Sequence, residues 1–206
     1  MDYCLNLSRI SLNEYRDLLK QQNLLPGRRM LLDDIDARFS ALAAQNIATL
    51  AELRQRLSTP QKLAALAVAT GISEEYLTIL KREMGSMEQK PIPLATYPGV
   101  DGALVSSLGE RGILHSRDYF ERGDQTGELF SLCDLARING VGAVAARTFY
   151  EAGFASVQDV ANANAADMLR RVSAVNAEKQ YYKANLGEKD MQFCIDFAKL
   201  LIRYRD

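Results

Sequence analysis

The chain has 206 residues, of which 48% are hydrophobic and 25% are charged, with 25 Lys and Arg against 26 Asp and Glu. This composition excludes an intrinsically disordered chain, and the net charge of −1 gives the chain no overall attraction to nucleic acid or anionic membranes. The length fits one large domain or two small ones.

Helix signals follow one another through the first half. Apolar residues recur at helical spacing, and capping-box patterns begin at Ser11 and at Thr49. Thr59-Pro60 is typical of a helix start, and Gly71 of a helix end. We predict helices over residues 11–21, 28–45, 49–57, 59–71 and 73–84. The extended connector Pro91-Ile92-Pro93 then separates two predicted domains, residues 1–90 and 91–206.

The second half is predicted to be helical as well. Its predicted helices cover residues 116–122, 129–137, 165–172, 174–184 and 188–203. Almost no segment of the chain alternates polar and apolar residues with a period of two. We therefore predict an all-α protein without a β-sheet.

An internal repeat links parts of the chain. An offset of 41 residues aligns Gly99 with Gly140 and Ile113 with Phe154. A weaker third copy lies around residues 47–53, with no glycine in the turn that precedes it. Only the copy at Gly140 keeps a second glycine two residues later, because the earlier copy has Asp101 at that position.

The most informative stretch runs from Leu135 to Tyr150. Its apolar residues and the sequence Gly140-Val141-Gly142 indicate two short helices joined by a tight turn. Val141 is expected between the helices, and the small side chain of Ala146 lets them pack closely. The spacing resembles the helix-hairpin-helix motif.

The order of segments is similar to that of the family called domain of unknown function 4332, whose members pair helix-hairpin-helix units. The resemblance covers about residues 26–206. It rests on four segments, namely Thr70-Gly71-Ile72-Ser73, the stretch from Asp134 to Gly142, the stretch from Ala152 to Val157, and Val175-Asn176. It implies a helical bundle of helix-hairpin-helix, or SAM-like, units, and some relatives of that fold bind DNA.

The hairpin predicts a phosphate site, because turn amides and a helix N-terminus together favour an anion. Such a contact involves the nucleic-acid backbone and is independent of base sequence. The candidate DNA-phosphate-binding residues are Arg137, Asn139, Gly140, Val141, Gly142, Ala143 and Arg147. The alternative is a turn that only packs two helices. That alternative is favoured because residues 91–206 hold 13 Lys and Arg against 15 Asp and Glu.

Other candidate sites favour structural interpretations. Asp33, Asp34 and Asp36 lack the glycine and the distal glutamate of a calcium loop, so they indicate a solvated face. His115 is the only histidine, which argues against a zinc site or a hydrolytic triad, and we expect it to cap a helix or face solvent.

Paired basic and aromatic residues leave alternatives open. Arg28-Arg29 indicates a solvated face or a phosphate contact, and Arg170-Arg171 is expected at a helix C-terminus. Tyr181-Tyr182 is expected to wedge between helices, with base stacking as the alternative.

Three widely spaced cysteines, Cys4, Cys133 and Cys194, are typical of reduced thiols in the cytoplasm. The first residues lack the pattern of a signal peptide, and no apolar run approaches the roughly 20 residues of a membrane span. We expect a cytoplasmic, non-enzymatic binding or scaffolding module with no catalytic residue, metal or cofactor. It would act through a protein partner or self-association; the alternative is weak DNA binding through the hairpin backbone.

Overall fold

The computed structural model describes residues 2–22, 24–183 and 185–204. In these ranges the chain forms twelve α-helices, three short 3-10 helices and no strand, so the all-α prediction is confirmed. The α-helices are α1 (Leu12–Gln21), α2 (Ile35–Ala43), α3 (Leu50–Arg56), α4 (Pro60–Thr70), α5 (Glu74–Gly85), α6 (Gly102–Glu110), α7 (Ser116–Arg122), α8 (Gly127–Leu135), α9 (Ala143–Glu151), α10 (Val157–Ala161), α11 (Ala165–Lys179) and α12 (Glu188–Arg203). None of the helices in these ranges is both long and apolar enough to cross a membrane.

The chain divides into two compact units. The N-terminal unit is Asn6–Glu88, and the C-terminal unit combines Met1–Leu5 with Gln89–Asp206. The predicted domains place all of residues 1–90 together, whereas here the first five residues belong with the second half.

The N-terminal unit contains α1 to α5. Helix α1 packs on α2 and α3, and α4 packs on α5. Buried aromatic and leucine side chains form its core, including Tyr15, Leu19, Phe39, Leu42, Leu50, Leu53, Tyr76 and Leu80.

The C-terminal unit contains α6 to α12. Helix α12 packs on α10 and α11, and α8 packs on α7 and α9. The core is built from apolar side chains of these helices and of the turns between them, including Leu132, Leu135, Ile138, Phe149, Phe154, Val160, Met168, Met191 and Ile195.

The structure repeats local geometry at the offset seen in the sequence. Helices α6 and α9 have nine residues each and begin 41 positions apart. Gly99 and Gly140 both have positive φ, as do Gly112 and Gly153. The turn angles and helix starts of the two copies in the C-terminal unit therefore agree.

The third copy lies in the N-terminal unit and shares the second half of the pattern. The Glu52 carboxylate accepts hydrogen bonds from the N–H groups of Ala48 and Thr49, just before α3. Asp118 accepts the corresponding bonds before α7, and Asp159 accepts one before α10. Each carboxylate satisfies backbone donors that a helix start leaves without a partner.

Three predicted helices differ from the structure. The predicted helix over residues 28–45 is wrong, because a 3-10 helix, Pro26–Leu32, comes first and α2 begins only at Ile35. Asp34 separates the two with a φ of 47°, a left-handed conformation that aspartate tolerates better than most residues.

The predicted pair of helices over residues 165–172 and 174–184 is also wrong. One continuous helix, α11, covers Ala165–Lys179, because neither glycine nor proline interrupts it. Ala184, the predicted end of the second helix, lies outside the described residues. Arg170-Arg171 consequently lies inside a helix and not at its C-terminus.

Candidate functional site

The predicted hairpin connects α8 to α9. After α8, backbone hydrogen bonds join residues three positions apart. The Ile138 N–H donates to the Leu135 carbonyl, and the Val141 N–H donates to the Ile138 carbonyl. Gly140 adopts a φ of 83°, which L side chains rarely adopt. Val141 is buried, as its expected position between the helices requires.

The surface of the turn is open at the start of α9. Gly140 and Gly142 are exposed, and Asn139 and Ala143 are half-buried. Gly142 is the N-cap residue of α9, and no described side chain caps this end. In the earlier copy of the repeat, the Asp101 carboxylate accepts a hydrogen bond of 3.0 Å from the Ala103 N–H. The N-terminus of α6 is therefore capped by the Asp101 carboxylate, whereas no described side chain caps the N-terminus of α9.

Arg137 is buried inside the C-terminal unit and is 5% exposed. Its guanidinium donates to Asp134 Oδ1 at 2.6 Å and to the Tyr3 carbonyl at 2.9 Å. It also lies over the ring of Phe120, 4.5 Å from the centroid. The second Asp134 oxygen accepts the N–H of Val157 at 2.7 Å, at the start of α10. Arg137 therefore joins Tyr3, Asp134 and Phe120 inside the unit, and its guanidinium is not exposed beside the hairpin.

Arg147 is equally buried, with 5% of its surface exposed. Its Nε donates to the Pro98 carbonyl at 2.7 Å, and its terminal nitrogen pairs with Glu128 at the same distance. The guanidinium also lies against Gly99, where a Cβ atom would meet it at 3.4 Å. Both arginines predicted to support a phosphate contact thus have internal partners.

Apolar side chains border the turn instead. Phe193, on α12, is 47% exposed, and its Cε1 lies 3.8 Å from where a Cβ atom of Gly140 would be. Val144, in the first turn of α9, is 37% exposed. We call the patch formed by Gly140, Gly142, Val144 and Phe193 the turn surface.

The candidate residues predicted from the sequence do not include Phe193. It is an apolar residue of α12, like the buried Phe197. The available signal was local, because Asp190 and Asp196 lie three residues before and after it and are exposed. Residues three positions apart share a helix face, so Phe193 lies on the polar face.

The remaining candidate residues make local contacts. His115 precedes α7, where its Nδ1 lies 3.4 Å from Asp118 Oδ2. Asp36 pairs with Lys20 and Arg16. No cluster of three metal-ligating side chains occurs among the residues that the structure describes.

The basic and aromatic pairs are held in the same way. Arg28 pairs with Glu83 within the N-terminal unit, and Arg170 pairs with Asp167 along α11. The Tyr181 hydroxyl donates to Glu151 Oε1 at 2.7 Å. These contacts explain the positions of the side chains without a ligand.

A comparison with known families matches the last part of the chain. Residues 130–203 match a family described as a domain of unknown function (DUF7898). The match begins within α8 and ends with α12, so it includes the hairpin and Phe193. This family is not domain of unknown function 4332, the one that the sequence resembles, so that assignment is corrected. No curated protein and no solved structure matches the chain.

Proposed function

We propose that this protein is a non-enzymatic binding module of helix-hairpin-helix type that acts by protein interaction through the turn surface. The observation that carries the proposal is the contrast between the side chains around the hairpin. The cations are buried in internal pairs, whereas Val144 and Phe193 are exposed.

The chemistry of this surface suits a protein partner. Aromatic side chains are enriched in the centres of protein interfaces, where they bury a large area at low entropic cost. The C-terminal unit holds 14 Lys and Arg against 16 Asp and Glu, so its net charge opposes a nucleic acid more than a protein.

The test compares three immobilised forms of the full chain. Phe193→Ser removes the aromatic side chain of the turn surface, and Leu114→Ser is the matched control, because Leu114 is 56% exposed outside that surface. We expect a partner protein to bind the wild-type chain and Leu114→Ser but not Phe193→Ser. The purified partner should show the same difference in binding. Equal binding to all three forms would overturn the proposal.

Self-association is measured separately. Sedimentation velocity of the purified chain over a concentration series shows whether a second copy is the partner. If it is, Phe193→Ser will remain monomeric at concentrations where Leu114→Ser dimerises. Dimerisation of both variants to the same extent would exclude the turn surface as the contact.

A second candidate function is sequence-independent binding of the DNA backbone, through the residues from Asn139 to Ala143. The uncapped start of α9 favours it, because unpaired amides and the helix dipole attract an anion. Fluorescence anisotropy with labelled duplex and single-stranded DNA at about 20 mM and about 200 mM salt tests it.

Two substitutions at Gly142 separate charge from capping. Gly142→Asp copies Asp101 and places a carboxylate where the phosphate would bind, whereas Gly142→Ser caps the helix without adding charge. Salt-sensitive binding that Gly142→Asp abolishes and Gly142→Ser retains would establish the phosphate contact. Absence of binding at low salt would exclude it.

The proposal includes no cofactor and places the protein in the cytoplasm. Its support is that His115 and Asp118 serve the start of α7, and that Cys133 and Cys194 are buried free thiols. Burial raises the pKa of the Cys133 and Cys194 thiols to about 12, so neither is a reactive thiolate at neutral pH.

A further inference from the structure

The segment Asp2–Leu5 packs within the C-terminal unit, although the whole N-terminal unit separates this segment from Gln89–Asp206 in the sequence. The segment is not helical. Tyr3 is 0% exposed, and Leu5 is also buried. A four-residue segment with two buried side chains resembles a bound peptide more than a loop of the core.

Three side chains of the C-terminal unit hold Tyr3. Its hydroxyl lies 2.7 Å from Ser116 Oγ, and its carbonyl accepts a hydrogen bond from Arg137. Its ring meets Phe120 edge to face, with 5.8 Å between the centroids. Burial raises the pKa of the Tyr3 phenol well above its usual value, so the hydroxyl stays neutral and able to donate.

All three contacting residues are themselves buried. Ser116 also accepts the Ile92 N–H at 2.9 Å, and Arg137 is fixed by Asp134. The side chains that receive Tyr3 are therefore positioned by contacts of their own. They offer a hydroxyl for the phenol, an aromatic wall for its ring, and a guanidinium for the peptide carbonyl.

We propose that Ser116, Phe120 and Arg137 form a binding site for an extended peptide that carries a tyrosine, and that the segment Asp2–Leu5 is its occupant in cis. The proposal requires that the segment dissociate as a unit from these three residues, by local opening of the folded protein. The vacated site accepts the same peptide in trans.

Contacts connect this site to the hairpin. Arg137 connects the Tyr3 carbonyl to Asp134, and Asp134 connects Arg137 to the start of α10. Asp134 lies in the last turn of α8, and Arg137 lies just after it, where the turn begins. Loss of the segment therefore loosens the backbone around residues 134–142.

The first experiment uses the full chain without residues 2–5 and a synthetic peptide of residues 1–5. A ligand that binds only the folded state raises the Tm in a saturable manner. We expect this rise with the natural peptide and not with its Tyr3→Ala form, and no rise for the complete chain, whose site is filled. Equal responses to the two peptides would overturn the proposal.

A second experiment does not require the shortened chain to fold. Hydrogen exchange is compared between the complete chain and its Tyr3→Ala variant, with Tyr3→Phe as the control that keeps the ring. We expect amides of residues 134–142 to exchange about tenfold faster in Tyr3→Ala, with residues 50–57 of the N-terminal unit unchanged. Unchanged exchange in the first range, or equal acceleration in both, would contradict the proposal.

Discussion

Arg137 and Arg147 illustrate how little a basic residue beside a turn says about its partner. The sequence places both next to the hairpin, and that position predicts a contact with phosphate. The structure instead directs Arg137 to Asp134 and Arg147 to Glu128. Asp134 lies three residues before Arg137, a spacing that favours pairing, so one contact was recognisable from sequence. The pair of Arg147 and Glu128 joins separate helices and was not recognisable from sequence.

The buried pair gives a prediction for Arg137→Ala. Removing the guanidinium leaves Asp134 buried without its charged partner, and we expect the free energy of unfolding to fall by about 3 kcal/mol. Arg170→Ala, at an exposed pair, should change it by less than about 0.5 kcal/mol. Urea denaturation measures both. A loss for Arg137→Ala as small as that for Arg170→Ala would show that the pair is not structural.

Gly140 provides the second prediction at this scale. A Cβ atom there would make only an ordinary contact with Phe193, so space is not the obstacle. The obstacle is the φ of 83°, because a β-branched side chain is strained in that conformation. We expect Gly140→Val to cost more than about 1 kcal/mol.

Gly142→Ser is the matched control for that substitution. Gly142 has a φ of −81°, and serine is a favoured N-cap residue, so its thermal unfolding should be unchanged or shifted upward. An unchanged Tm for Gly140→Val would contradict the strain argument.

At the scale of the helix, caps were predictable and interruptions were not. Ser11 with Glu14 and Thr49 with Glu52 form the capping boxes that their spacing predicts. The break at Asp34 escaped prediction, because apolar residues continue at helical spacing across it and nothing in that pattern indicates a left-handed φ. The continuity of α11 also escaped prediction, because Ser173 separates the two predicted helices but lies inside this single helix.

The cap of α3 predicts a dependence of stability on pH. The N–H groups of Ala48 and Thr49 donate to Glu52 and lower the pKa of its carboxyl. Since the folded state then binds this proton less readily than the unfolded state, the stabilisation is present above the unfolded pKa of about 4.3 and is lost as the pH falls below it.

Glu52→Gln tests this dependence. Glutamine keeps an oxygen acceptor but does not titrate, so we expect its stability to fall less than that of wild type between about pH 5 and about pH 3. Urea denaturation at several pH values measures the difference. Identical pH profiles would show that the cap does not contribute through its charge.

At the scale of the whole molecule, the helical class follows from the sequence because helical periodicity is a local property. The docking of Asp2–Leu5 does not, since its partners Ser116 and Arg137 lie more than a hundred positions away. The charge balance was readable from composition, but the burial of the arginines at the hairpin was not. Only the tertiary structure shows which charges remain available to a partner.

That charge distribution predicts a shallow salt dependence for any binding of duplex DNA. Each phosphate that a Lys or Arg side chain neutralises contributes about −0.9 to the slope of log K against log salt concentration. With Arg137 and Arg147 held internally, the start of α9 offers uncharged amides, which add little to this slope. We expect a slope shallower than about −1, measured by anisotropy from about 20 mM to about 200 mM salt. A slope near −5 would require cations that the turn surface does not offer, and would assign DNA binding to another face of the protein.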